Sequence, residues 1–176
     1  MRARGARARF YHRRVTADPT LVISLREQTL RLVQDGVDRM VFDVSTASRG
    51  AGCRNGSGCT PTGLHRIRAK VGTGCVPGTV FVGRRATDEV LTPELRERFP
   101  GRDWILTRIL WLDGLERGVN RGGDLDTLRR FVYIHGTADE GSIGRPASHG
   151  CVRMRNADIV QLFDVVRCGT RVALRP

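Results

Sequence analysis

Cys151 follows His149 by two residues and His135 by sixteen, and each has glycine beside it, as His135-Gly136 and His149-Gly150-Cys151. A free thiol has a pKa near 8.5, so only about 3% is thiolate at neutral pH, and an imidazole that takes its proton raises the reactive fraction. The pattern therefore points to nucleophilic catalysis at sulfur, with His135 or His149 as the base. Five cysteines are present, Cys53, Cys59, Cys75, Cys151 and Cys168. An odd count leaves at least one unpaired within a monomer, which suits a working thiol.

The elements around these residues follow from pattern. The apolar run Phe131–Ile134 predicts a buried strand that ends at His135. A Gly-containing loop leads to Ser148-His149-Gly150-Cys151. Asn156 then caps a predicted helix in which Ile159, Phe163 and Val166 share a face, with Gly169 as its stop. Upstream, the alternation of Leu30 and Leu32 and the Asp35-Gly36 pair within 20–45 predict a hairpin or meander. A Gly- and Ser-rich loop over 45–58 is long enough to be functional. Extended segments are expected at 63–69, 79–82 and 104–111, and a short helix at Pro93 with Thr92 as its cap. Strands dominate, so the expected fold is mostly β, a sheet assembly or sandwich with a few short helices.

The length of 176 residues suits one domain. The basic total of 30 is 29 Arg and one Lys, Lys70, and six of those Arg fall in Met1–Arg14, which carries no acid. Half of the net +12 thus sits in this segment. Residues 1–19 read as a basic, solvated tail and 20–176 as the catalytic domain. Only Phe10 and Tyr11 accompany the cluster, so a nucleic-acid face is not expected. No apolar run reaches the ~20 residues of a membrane span, and Met1–Arg14 has no apolar export segment. Cys53 and Cys59, in GCRNGSGC, would close a small disulfide loop in an oxidising compartment or stand as loop thiols in a reducing one. The spacing of His65 and Cys75 matches no standard zinc pair, so no metal is expected.

The segment HGTADEGSIGRPASHGCVRM, residues 135–154, resembles the catalytic signature of the YkuD-type L,D-transpeptidases. LVISLREQTLRLVQDG (21–36) resembles that family's opening strands, and Thr60-Pro61-Thr62-Gly63 its Thr-Pro-x-Gly turn. The resemblance covers roughly 20–174. It implies a β-rich domain in which Cys151 is the nucleophile and His135 the general base, with His149 in the same pocket. Ser148, Gly150 and Thr137 fall within the matching motifs, Ser148 and Thr137 as substrate-binding candidates, and Arg153 matches the family's basic residue.

The implied partners are peptidoglycan stem peptides, a donor tetrapeptide and an acceptor amine, with no cofactor. Physical chemistry agrees with each role. The Gly136 carbonyl would orient His135, since a histidine base has its second nitrogen fixed by a hydrogen bond. The N–H groups of His149, Gly150 and Cys151 would converge on an oxyanion, where losing one donor costs on the order of 2.7–4 kcal/mol. The Arg153 guanidinium suits a stem carboxylate, or else forms a structural ion pair. Residues 92–130, with Trp104 and Trp111, are the expected site of an acceptor cavity.

Two other functions stay open at this stage. One is an L,D-carboxypeptidase, in which water resolves the same thioester. The other is a non-catalytic wall-binding module that uses its positive charge, against which the paired His135 and Cys151 argue. The resemblance implies the periplasm or cell envelope, where the basic tail would contact anionic polymer, while the lack of an export segment leaves the cytoplasm open.

Overall fold

The computed structural model describes residues 17–176, so the basic cluster of Met1–Arg14 lies outside the described residues. Ten strands are described: β1 Thr20–Ser24, β2 Thr29–Gln34, β3 Val37–Asp43, β4 Gly63–Val71, β5 Thr79–Val82, β6 Arg85–Val90, β7 Leu106–Gly114, β8 Tyr133–Gly136, β9 Val152–Met154 and β10 Arg171–Arg175. They form one mixed sheet in the order β3-β2-β1-β10-β4-β7, after which β7 pairs both with β8, which carries β9, and with the β5–β6 hairpin. The mostly-β architecture agrees with the sequence expectation. Two α-helices accompany it, α1 Pro93–Arg98 and α2 Asn156–Val165.

Local chemistry accounts for the elements. In β1 and β2 the alternation buries Leu21, Ile23, Leu30 and Leu32, and Asp35 (φ 53) with Gly36 (φ 74) makes the tight primed turn into β3. β7 is buried along nearly its whole length, as a strand covered on both faces must be. Thr92 Oγ1 accepts from Leu95 N–H at 3.2 Å, so α1 starts as its Thr-Pro sequence predicts.

β4 runs on to Val71 and β7 spans Leu106–Gly114, past the expected 63–69 and 104–111, and three further boundaries differ for local reasons. Asn156 is the first residue of α2 rather than its cap; Arg155 takes that place, and the Asn156 amide donates to the Thr137 carbonyl and to Glu140 Oε1. The helix also stops before Gly169. The Lys70 ammonium binds the carbonyls of Phe163 and Val166, both at 2.6 Å, and lies 4.3 Å from the Phe163 ring centre, completing the helix end three residues early. Phe131 stands outside β8, half-exposed at φ 55, and the buried run begins at Val132.

Alternation along β7, β8 and β9 divides the sheet into two faces. Leu110, Leu112, Ile134, Val152 and Met154 join the main core with Ile159, Leu162 and Phe163 of α2. The opposite face carries Ile109, Trp111, Tyr133, His135, Cys151 and Arg153. Just beyond β3, Ser45 N–H donates to Arg153 O at 2.9 Å and Arg153 N–H to Ser45 O at 2.8 Å. This bridge joins the chain leaving one sheet edge to the strand at the other, so the sheet curls around the core. Among the described residues no helix is long and apolar enough to cross a membrane.

Candidate active site

The register of the sheet brings the predicted residues together. Trp111 pairs with Tyr133 across β7 and β8, Ile109 pairs with His135, and His135 pairs with Arg153 across β8 and β9. Paired residues share a face, so Cys151, one step before β9, falls level with Tyr133. Tyr133 N–H donates to Cys151 Sγ at 3.4 Å, and the thiol faces the Phe131 carbonyl at 3.7 Å. His135 and Cys151 therefore occupy neighbouring rows of one sheet face, sixteen residues apart in the chain.

His135 is fully buried, and its Nδ1 donates to the Gly136 carbonyl at 2.8 Å. That bond places the proton on Nδ1 and leaves the Nε2 lone pair free to accept one. Burial pushes the imidazole below its ordinary pKa of 6.5, against the opposing effects of the Gly136 hydrogen bond and the Asp103 charge. Burial likewise raises the Cys151 thiol to about 11, against the Tyr133 hydrogen bond. The resting pair is consequently neutral, thiol beside imidazole.

A bulge in β7 aims the histidine. Leu106 pairs with Gly136 and Ile109 with His135, so Thr107 and Arg108 are accommodated opposite one peptide unit. Thr107 adopts φ 69 there, and its hydroxyl binds Asn156 Oδ1. Gly136 packs beneath this corner. A Cβ on Gly136 would lie 2.9 Å from Leu106 O and 3.1 Å from Thr107 Cβ.

The 148–151 turn is built by its own side chains. Ser148 is fully buried; its Oγ donates to Cys151 O at 2.5 Å and accepts from Gly150 N–H at 3.2 Å. Its hydroxyl is thus used within the turn. Gly150 has φ 133, and a Cβ there would lie 3.3 Å from Cys59 O. The long loop after β3 reaches this point: Thr60 Oγ1 donates to Gly150 O at 3.0 Å, and Arg130 clamps the loop through Gly52 O at 3.0 Å and Cys59 O at 2.6 Å. All five thiols are free. Thr137 is buried, and its Oγ1 accepts from Asp139 N–H at 3.1 Å.

Beyond His149 and Arg153 lies a cavity of about 930 Å³ whose walls include α1, Asp103, Trp104 and Thr137; Cys151 and His135 do not line it. Trp104 lines it, whereas Trp111 does not and stands against Tyr133 and Phe131. Asp103 is the residue that sequence reasoning missed. Its Oδ1 accepts from Arg153 Nη2 at 2.7 Å and its Oδ2 lies 3.4 Å from His149 Nδ1. Arg153 also donates to Ala147 O at 3.3 Å and is nearly buried, so a substrate carboxylate would compete with Asp103 for it. A single aspartate in an irregular segment carries no periodic signal. His65, the remaining described histidine, bonds Gly63 O and Thr127 Oγ1 away from the site.

A family model for the YkuD-type L,D-transpeptidase catalytic domain matches residues 18–174. The YkuD protein of Bacillus licheniformis is 49% identical over 67 residues, which is 35% of this chain and 41% of that protein. The YbiS protein of Escherichia coli K12 is 56% identical over 43 residues, 24% of this chain and 14% of that one. These matches span less than half of each relative. Among solved structures, the L,D-transpeptidase of Xylanimonas cellulosilytica superposes with TM-score 0.52 at 23% identity, covering 92% of this chain and 62% of that one. L,D-transpeptidase 3 of Mycobacterium tuberculosis, in complex with a faropenem-derived adduct, gives 0.54 at 15% identity, covering 90% of this chain and 60% of that one. At these identities the likeness is one of fold.

Proposed function

The chain belongs to the YkuD family of L,D-transpeptidase catalytic domains, and from that membership we propose that it is a cysteine acyltransferase acting on peptidoglycan stem peptides in the cell envelope. The observation that carries the reading is the Gly136–His135 hydrogen bond, because it leaves an unprotonated Nε2 on the sheet face that bears the thiol.

In the proposed cycle, His135 Nε2 takes the Cys151 proton as sulfur attacks the carbonyl between the L-centre of diaminopimelate and the terminal D-Ala. The tetrahedral oxyanion is held by the N–H groups of His149 and Cys151, since that of Gly150 already serves Ser148. Collapse breaks the C–N bond, and the His135 imidazolium protonates the departing D-Ala amine, leaving a thioester on Cys151. The side-chain amine of a second stem then attacks the thioester. His135 removes the proton of that amine and returns it to sulfur as the thiolate leaves, giving a 3→3 cross-link. Water in place of the amine would give a trimmed tripeptide by the same first half-reaction.

Asp103 and Arg153 lie beside this pair as a compensated charge couple, with Arg153 available to a stem carboxylate by exchange. Ser148 and Thr137 act through the turns they build. The division into a basic tail over 1–19 and a catalytic domain from 20 onward belongs to the same proposal.

The test incubates the protein with purified disaccharide-tetrapeptide, with and without an acceptor stem, and weighs the products. Release of D-Ala by the wild type and none by Cys151→Ala is expected. Undiminished release by Cys151→Ala would overturn the nucleophile assignment, and the masses distinguish cross-link from tripeptide.

A further inference from the structure

Besides Arg153 and Arg130, whose charges act on Cys151, a further cation, Arg84, stands over the aromatic rings on the Tyr133 side of the thiol. It sits at the tip of the β5–β6 hairpin, where Gly83 (φ 55) and Arg84 (φ 65) form the turn. Its guanidinium lies 4.6 Å from the Trp111 ring centre and 4.8 Å from that of Phe131. Arg84 Nη1 donates to the Tyr133 hydroxyl at 2.9 Å. Tyr133 therefore joins the two groups directly, with its backbone N–H on the Cys151 sulfur and its hydroxyl on Arg84.

A guanidinium offers five N–H donors. Among the described residues Arg84 has no carboxylate partner, unlike Arg153, which is bound by Asp103. Stacking on two rings fixes its plane while leaving donor edges open, an arrangement suited to a carboxylate. Phe131 is half-exposed beside it, so this shelf faces solvent.

Direction along β8 says which part of a substrate meets the shelf. Phe131 and Tyr133 lie on one side of His135, and the cavity residues Thr137 and Asp139 lie on the other. On the stem-peptide reading the leaving amine takes its proton from His135, which places it on the Thr137 side of the sulfur. The acyl portion then runs back over Tyr133 toward Arg84. One tyrosine side chain spans the gap from sulfur to guanidinium, a reach of about two extended residues at ~3.3–3.6 Å each.

We propose that Arg84 is a specificity-determining residue that binds a free carboxylate on the acyl-donor stem, within two residues of the scissile carbonyl. The assignment rests on the stem-peptide reading above and adds a charge requirement on the donor. Its Coulombic part is weakened by salt.

The experiment uses three disaccharide-tetrapeptides: one with all stem carboxylates free, one amidated at the second stem residue and one amidated at the third. D-Ala release is measured for wild type, Arg84→Gln and Arg84→Lys, and binding of the same stems is measured on Cys151→Ala and on Cys151→Ala with Arg84→Gln. Wild type should prefer the free stem over one of the amidated stems by roughly 10- to 100-fold in kcat/KM, as expected for a charge-assisted hydrogen bond. Arg84→Gln should bring the free stem down to the level of that amide and leave the amide unchanged, whereas Arg84→Lys keeps part of the preference.

Equal handling of all three stems by the wild type overturns the proposal, as does an equal loss on all stems in Arg84→Gln, which would mark Arg84 as support for the aromatic shelf alone. Absence of D-Ala release from every stem is a failure of the stem-peptide reading instead. In that case the binding preference on Cys151→Ala, and its loss on the double variant, still decides the role of Arg84.

Discussion

The carboxylate of Asp103 accepts a 2.7 Å hydrogen bond from the Arg153 guanidinium, and the two partners differ sharply in burial, 8% exposure for the Arg153 side chain against 49% for that of Asp103. The pair borders the row that holds His135, and the two charges act on that imidazole in opposite senses, Asp103 raising its pKa and Arg153 lowering it.

Asp103→Asn should cost about 1–3 kcal/mol of stability by leaving the buried Arg153 without its ionic partner, read as a lower urea midpoint. It should also move the acid limb of kcat/KM. A base must be unprotonated to act, so activity rises as pH passes upward through the His135 pKa. That limb should lie below 6.5 in the wild type, lower still in Asp103→Asn and higher in Arg153→Met. Acid limbs that coincide in all three proteins would exclude the electrostatic coupling.

The Cys151 thiol, raised to about 11, should resist direct ionisation. Its alkylation by iodoacetamide should keep accelerating with pH past the ~8.5 at which an ordinary thiol is half-ionised. In the proposed cycle transfer to substrate depends on proton removal by His135, so His135→Gln should lower turnover by roughly 10²–10⁴-fold. An alkylation rate that is already flat at pH 7 would show a preformed thiolate and contradict the neutral pair.

Lys70, the single lysine, should be worth more than a surface charge. Lys70→Met keeps the apolar stem but removes the donor to Phe163 O and Val166 O at the end of α2. A loss of about 1–3 kcal/mol is expected, measured by thermal and urea unfolding, with Cys151 chemistry retained. A variant as stable as the wild type would mean that water satisfies those carbonyls equally well.

Much of this was legible in the chain alone. The alternation of Leu30 and Leu32, the Asp35-Gly36 turn and the Thr92-Pro93 start of α1 are local signals, each enforced by the backbone geometry of a few neighbours, and each stands where the pattern placed it. Phe131 misled because an apolar run does not reveal where a strand begins, and the positive φ at that residue turns it outward. Asn156 misled because a capping type near a helix start has several uses, and here its amide ties Thr137 and Glu140 to the site.

Residue types and short spacing marked His135 and Cys151 as candidates for one nucleophilic chemistry, and the motif from Ser148 to Arg153 carried the family membership, since the residues of that turn are encoded within a short stretch. Only the tertiary structure decided which groups surround them. Asp103 on Arg153 and Arg84 on Trp111 and Phe131 are contacts between segments far apart in sequence, set by the register of β7, β8 and β9 and by the position of the β5–β6 hairpin. Pairing of distant strands leaves no periodic mark on the residues it brings together, so the charges around Cys151 emerge only when the sheet is assembled.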